Sequence, residues 1–288
     1  MNHADSGPLA PGLYMIATPI GAARDITLRA LDILATADVL AAEDTRTLRH
    51  LMDLHGLGPG DRPLVAYHDH NGPRMRPRLI AALAEGKSVA YASEAGTPLI
   101  ADPGYQLTRA AIEAGHRVFS APGPSAVMAA LTVSGLPTDR FVFAGFAPPR
   151  AGARKRFLTE LAEIPATVVL YESPKRVHRI LGELSESLGK DRKAALCREL
   201  TKRFEEVRRG TLADLLEGLG DDAVRGEVVI LIDRARGASD SGAALEGALT
   251  EALKTLSRKD AVATVAADLG LPRRVVYQAA LARKDSGL

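Results

Sequence analysis

Short runs of apolar, β-rich residues alternate with stretches of helical spacing along the first half of the chain. Leu13–Ala17, Val39–Ala42, Leu64–Tyr67, Val89–Ala92 and Arg117–Ser120 read as strands. Between them Asp25–Leu34, Thr47–Leu54, Arg78–Ala84 and Leu107–Ala114 carry apolar residues at helical intervals. Asp25 or Thr27 can cap the first helix, and Gly86 and Gly115 stop the third and fourth. This alternation predicts a mostly parallel sheet covered on both faces. A second α/β unit follows, with strands at Phe141–Ala144, Thr167–Tyr171, Ala194–Arg198, Phe204–Gly210 and Val228–Ile232. Its helices are Ser125–Ser134, Val177–Leu188 and Leu212–Leu219, and Pro148–Arg156 reads as a basic loop. These strands lie closer together in sequence, so more antiparallel pairing is expected.

Beyond Asp233 the pattern changes. A small, polar stretch at 236–243 reads as a linker. After it come Ala244–Leu256, then Ala261–Leu269 behind the capping sequence Ser257-Arg258-Lys259-Asp260, then a third helix from Pro272 to Ala282. Val262, Val265, Ala266 and Leu269, a short turn, and Val275, Val276 and Leu281 fit a helix-turn-helix. Arg273, Arg274, Arg283 and Lys284 on its last helix suit a nucleic acid, and a bundle used only for packing is the alternative. The expected organisation is therefore a disordered leader at 1–11, α/β units at 12–124 and 125–235, the linker, and a helical tail at 244–288.

Composition narrows the function. The 288 residues exceed what one compact core usually spans. No Trp and few aromatics argue against single-strand binding by base stacking. A net charge of +2 requires any nucleic-acid surface to be a local patch. The single cysteine, Cys197, excludes an internal disulfide and suits a reducing cytoplasm. The polar N-terminus has no signal-peptide core, and no apolar run is long enough to span a bilayer.

Candidate chemistry sits in loops at strand ends. Ser93–Gly104 and Ala121–Pro124 are dense in Gly, Pro, Ser and Thr and leave the carboxyl ends of predicted strands, where ligands of open α/β sheets bind. No G-x-G-x-x-G follows the first strand, so a Rossmann cofactor site is not expected. Glu43 and Asp44 follow the second strand. Either can orient or deprotonate a substrate hydroxyl, while Asp44 also fits a helix N-cap. Arg46 is a phosphate-contact candidate. His68 and His70 flank Asp69, but a lone H-x-H is no metal site; RNA contact, or capping by Asn71, is the better reading. Arg74, Arg76, Arg78, Arg150, Arg154, Lys155 and Arg156 can form a phosphate patch, and Glu199 with Lys202 an ion pair at the cleft.

Several segments together, in this order, resemble one family: ATPIG with DITLRAL at 17–31, AEDTR at 42–46, YHDHN at 67–71, SEAGTPLIADPG at 93–104, PGPSA at 122–126, SGLPTDRF at 134–141, YESP at 171–174 and RELTK at 198–202. The set resembles the RsmI family of ribosomal RNA small-subunit methyltransferases. The resemblance implies a two-domain tetrapyrrole-methylase-like α/β fold, a non-Rossmann S-adenosyl-L-methionine methyltransferase, with a helix-turn-helix-like tail. It implies methyl transfer to the ribose 2′-oxygen of a cytidine in the decoding region of 16S rRNA, on the 30S subunit, by a homodimer without metal or membrane. It places the cofactor against Thr18, Pro19, Ser93, Glu94, Ala95, Gly96, Thr97, Ile100, Pro122, Gly123, Ser125, Ala126, Tyr171, Glu172, Cys197, Arg198, Glu227 and Val228. Glu43 and Asp44 are then the catalytic candidates. Arg46, His68, His70, Asn71, Arg154, Lys155, Lys202, Arg273 and Arg274 are the substrate-binding ones. Two positions depart from the family's pattern: Ala22 stands where Asn is expected and Glu94 where Asp is more usual. A tetrapyrrole methylase of the corrinoid or sirohaem pathways, or a non-catalytic RNA-binding protein on the same fold, remains an alternative at this point.

Overall fold

A computed structural model describes residues 7–100, 104–220, 224–235, 238–269 and 273–282. The first sheet is five-stranded and parallel throughout, in the order β3-β2-β4-β1-β5, from Gly12–Ile16 (β1), Val39–Ala42 (β2), Leu64–Ala66 (β3), Ser88–Ala92 (β4) and Val118–Ala121 (β5). Its helices are Leu28–Thr36 (α1), Thr45–Leu54 (α2), Gly72–Ala84 (α3) and Gly104–Glu113 (α4). Strand side chains alternate between faces. Ile16, Leu40, Ala90 and Ala92 pack with Leu31, Leu34, Leu48 and Met52 of α1 and α2. Leu13, Met15, Val89 and Tyr91 pack with Leu79, Leu83, Leu107 and Ala111 of α3 and α4. Burial of each large aliphatic chain here contributes about 2 kcal/mol. Covered on both sides, β1, β2 and β4 are buried along their whole length, which is why their sequences read as unbroken apolar runs.

Caps set the helix starts. Thr27 accepts from the Ala30 N–H at 3.1 Å, and Asp44 from the Arg46 N–H at 2.8 Å. Helix α3 begins at Gly72, ahead of the expected Arg78. Pro73 stands in its first turn, where a missing N–H costs nothing, and Pro77 faces solvent inside it.

After β5 the chain crosses to the second sheet through Pro122–Ser125. This sheet has the order β6-β7-β10-β8-β9, from Phe141–Phe146 (β6), Thr167–Glu172 (β7), Lys193–Arg198 (β8), Glu206–Thr211 (β9) and Val228–Ile232 (β10). Only β6 and β7 pair parallel, so the expected shift toward antiparallel pairing is found. Its helices are Ala126–Ser134 (α5), Ala151–Ala162 (α6), Val177–Leu188 (α7) and Leu212–Leu219 (α8). Helix α5 lies on one face against Val169, Ala195, Cys197, Val229 and Leu231. Where the sequence reads as a basic loop at Pro148–Arg156, α6 begins at Ala151, anchored by buried Leu158 and Leu161. The two sheets belong to one compact unit, made of the chain up to Ala162 and Ala166–Asp233.

The other unit combines Glu163–Pro165 with the chain from Arg234 onward. Helices Ala238–Thr255 (α9), Arg258–Asp268 (α10) and Arg273–Ala282 (α11) enclose their own core of Leu245, Leu249, Val262, Val265, Val276 and Ala280. Residues 238–243 of the expected linker are helical. Ser257 caps α10 by accepting from the Asp260 N–H. Residues 1–6 of the expected leader, 236–237 of the linker, Ala101 to Pro103, Gly270, Pro272, Arg283 and Lys284 lie outside the described residues.

Candidate functional site

Neighbouring strands β1 and β4 send their following helices to opposite faces, so their carboxyl ends open a crevice. The loops there are tied to one another. Thr18 and Gly96 exchange main-chain hydrogen bonds at 3.0 Å each, and the Thr18 hydroxyl donates to the Ser93 carbonyl at 3.1 Å. The Thr97 hydroxyl donates to the Pro124 carbonyl at 2.9 Å, joining the loop after β5. Gly96 has φ +81°, and a Cβ there would press on Ile20, so the approach of the loops requires glycine.

These loops form one wall of a cavity of about 320 Å³; the other comes from the second sheet. Ile20, Ala95, Gly96, Thr97, Ile100, Ser125 and Ala126 face Phe146, Tyr171–Pro174 and Gly226–Val229. The lining is largely apolar, and among its residues Glu227 carries an exposed carboxylate, a composition suited to a small organic ligand with a cationic group. Tyr171 anchors the far wall, its ring 4.8 Å from Phe143 and 5.7 Å from Phe146. A bulge between Phe143 and Gly145, where Gly145 has φ +70°, puts both phenylalanines against Tyr171.

Glu172 is only 3% exposed. Its carboxylate accepts from the Ser173 N–H at 2.7 Å and pairs with Arg176, whose guanidinium also donates to the Ala147 carbonyl. Burial pushes the Glu172 carboxyl above its ordinary value, against the pull of Ser173 and Arg176. Glu227 is more open and receives Lys202 Nζ at 2.9 Å; the same ammonium meets Glu199 at 2.9 Å. Burial pulls the Lys202 ammonium down, but the hydrogen bonds to Glu199 and Glu227 outweigh it and raise it overall. The Glu227 N–H and Lys202 together lower the Glu199 carboxyl.

Of the residues expected at the cofactor, Ala95, Gly96, Thr97, Ile100, Ser125, Ala126, Tyr171, Glu172, Glu227 and Val228 line this cavity. Thr18 and Ser93 stand behind it as loop fasteners. Pro19, Glu94, Pro122 and Gly123 lie in the same loops but do not line it; Gly123 packs on Ala17, whose Cβ is 3.0 Å from where a Gly123 Cβ would be. Two expectations need correction. Cys197 is fully buried under α5, and its thiol is pushed up to about 11 by burial, so it is core. Arg198, its neighbour along β8, points to the opposite face by strand alternation and pairs with Glu206 at 2.9 Å beside a separate, smaller cavity. Reading the sequence alone missed Ile20, Phe146, Ser173, Pro174, Gly226 and Val229; the glycine inside F-V-F-A-G-F was the available signal for Phe146.

Glu43, Asp44, Arg46, His68, His70 and Asn71 lie beyond the ends of β2 and β3, which pair in the same sheet. Asp44 is spent on its cap and on Arg46, which hold its carboxyl down to about 2; Glu43 precedes it, partly buried. Arg46 is almost fully exposed. Asn71 closes its loop backwards instead of capping α3, accepting from the His68 N–H at 3.0 Å and donating to the Ala66 carbonyl at 2.9 Å. The His68 and His70 rings lie 6.0 Å apart, and no cluster able to hold a metal occurs among the described residues. Arg154 is a further correction. It is 3% exposed, pairs with Glu183 at 2.6 and 2.8 Å and donates to the Pro148 and Pro149 carbonyls, so it fastens α6 to α7 and faces no phosphate. Lys155 is exposed on the same helix, and Arg273 and Arg274 are exposed on α11.

Comparison with known proteins places this geometry. The family model for tetrapyrrole (corrin/porphyrin) methylases matches residues 12–216, and that for the RsmI C-terminal HTH domain matches residues 239–284. Solved structures share the fold. The uroporphyrin-III C-methyltransferase of Thermus thermophilus is 22% identical with a TM-score of 0.55, the match covering 80% of this chain and 98% of that one. At the sequence level the likeness is far stronger. A Mesorhizobium japonicum protein named ribosomal RNA small subunit methyltransferase I is 46% identical, the match covering 97% of this chain and 94% of that one. One of the same name from Xylella fastidiosa is 45% identical, with 93% and 98% covered. Identity of that size over nearly the whole length of both partners leads to one conclusion: the chain belongs to the RsmI family of ribosomal RNA small subunit methyltransferases.

Proposed function

We propose that the chain transfers a methyl group from S-adenosyl-L-methionine to the ribose 2′-oxygen of a cytidine in the decoding region of 16S rRNA. The observation that carries this reading is a mostly apolar cavity, with Glu227 among its lining residues, at the carboxyl ends of β1, β4 and β5, in a chain that also has the RsmI-type helical tail. A porphyrinoid methylase needs no such tail. The cavity's residues fit the cofactor: the Glu227 carboxylate suits a cationic group, and the apolar lining of Ile20, Phe146 and Tyr171 suits an aromatic base.

When bound, S-adenosyl-L-methionine supplies a methyl carbon already activated by a positive sulfur. The protein's own contribution is alignment and proton removal. Ile20, Phe146 and Tyr171 give the cavity apolar walls. Thr18, Ser93 and Thr97 tie its loops together, which lowers the ordering cost of binding. Glu43 at the end of β2 is the group that orients or takes the proton of the ribose hydroxyl. Asp44, a poor base with its carboxyl held near 2, caps α2 and aims Arg46 at a phosphate. His68 and His70 contact the same RNA segment across the neighbouring loop, and Lys155, Arg273 and Arg274 extend the phosphate contacts.

The enzyme works as a homodimer in the cytoplasm, where its ribosomal substrate is found. The exposed Phe141 and Val142 on edge strand β6 support pairing with a second copy, and sedimentation equilibrium tests it. The activity is tested with unmethylated 30S subunits and methyl-labelled cofactor, followed by nucleoside mass spectrometry. Label on a cytidine ribose is expected. Label on a base, or transfer only to a tetrapyrrole precursor, overturns the reading.

A further inference from the structure

The turn Glu199–Lys202 joins both walls of the cavity, and its backbone is unusual. Glu199 has φ +50° and Thr201 φ +64°, left-handed conformations that non-glycine residues adopt only when their surroundings enforce them. The enforcing contacts are on two sides. Toward the second sheet, the Glu199 N–H donates to the Glu227 carbonyl at 3.0 Å, and the Glu227 N–H donates to the Glu199 carboxylate at 2.9 Å. That carboxylate lies against Gly226, where no Cβ would fit. Toward the first sheet, the Ala22 N–H donates to the Thr201 hydroxyl at 3.2 Å, and the Lys202 stem covers Gly21 so closely that a Cβ there would lie 2.5 Å from its Cγ. Gly21 follows Ile20, and Gly226 precedes Glu227; Ile20, Gly226 and Glu227 are all cavity wall.

Lys202 is the member that touches both sides. Its stem rests on Gly21, while its ammonium bridges the Glu199 and Glu227 carboxylates at 2.9 Å each. Without that ammonium two negative groups would face each other across the turn, and the Gly226–Glu227 segment would lose its fixed place. We infer that Lys202 is a positioning residue for the cofactor, setting the Gly226–Glu227 wall against the Ile20 wall, and does not contact RNA. The inference rests on the reading of the cavity as the cofactor site.

The test measures S-adenosyl-L-methionine affinity by calorimetry on the full-length protein without RNA. Lys202→Met keeps the stem and deletes the charge; affinity should fall about tenfold. Lys202→Arg should stay within about threefold of wild type. In Lys202→Met/Glu227→Gln the facing negative charge is gone, so affinity should return to within about threefold of Glu227→Gln alone. Unchanged cofactor affinity in Lys202→Met, with a loss confined to KM for 30S subunits, would make Lys202 an RNA contact and overturn the inference. So would the absence of recovery in the double variant, which still decides the matter if Lys202→Met alone folds poorly. Wild-type protein that fails to bind the cofactor at all would instead overturn the proposed function.

Discussion

Arg154 sits in a stretch whose composition suggests a phosphate-binding loop, yet it is buried, and Arg154→Met separates the two roles. The guanidinium makes two charge-assisted hydrogen bonds to Glu183 and two to the carbonyls of Pro148 and Pro149. Removing one partner of a buried pair costs roughly 3–5 kcal/mol because the other is left uncompensated. Here Glu183 keeps about a third of its side chain exposed, 31%, and can partly rehydrate. The expected loss is therefore near the lower end, about 3 kcal/mol. For a unit of this size that is a fall in Tm of roughly 6–12 °C by scanning calorimetry. The loss should depend on pH. The Arg154 hydrogen bond holds the Glu183 carboxyl below its ordinary 4.5, so its contribution is complete above that pH and disappears as pH falls through the lowered value. The gap between variant and wild type should narrow accordingly below pH 4.5. Affinity for 30S subunits, measured at 20 °C on folded protein, should not change. A Tm within about 2 °C of wild type together with weakened 30S binding would refute the burial argument and restore Arg154 to the RNA face.

Gly226→Ala places a Cβ against the Glu199 carboxylate at φ +85° and should weaken cofactor binding at least about thirtyfold, whereas Gly182→Ala, in open space inside α7, should stabilise by about 0.5–1 kcal/mol; both are read by calorimetry. Cys197 should resist a thiol reagent at pH 8 until the protein is unfolded. Its folded pKa of about 11 lies above the unfolded one, so stability is complete below pH 9 and falls as pH rises toward 11, a slope that Cys197→Ala should remove. Arg273→Glu with Arg274→Glu should lower 30S affinity about tenfold and flatten its salt dependence without changing Tm; unchanged affinity would make the tail a packing module only.

Most of the scaffold was legible because its physics is local. Strands buried on both faces, such as Val39–Ala42, need continuous apolar runs, and Thr27 and Asp44 announce their helices by capping chemistry. Helix α6 was hidden because Pro148, Pro149 and a cluster of arginines imitate a loop, and its decisive contact, Arg154 with Glu183, spans distant positions. The cavity loops were readable from glycine and proline, since those residues solve a backbone problem at their own position. Which side chains face the cavity was not. Cys197 and Arg198 point to opposite faces of β8, and Phe146 reaches Tyr171 only through a bulge whose register depends on β7.

The passage from β5 to α5 carries Pro122 and Pro124 within 122–125, and the cavity residues Ser125 and Ala126 stand at its end. A tether so short and stiff has almost no slack. An insertion there would shift Ser125 and Ala126 directly, so a change of length in this span is felt at once in the cavity wall.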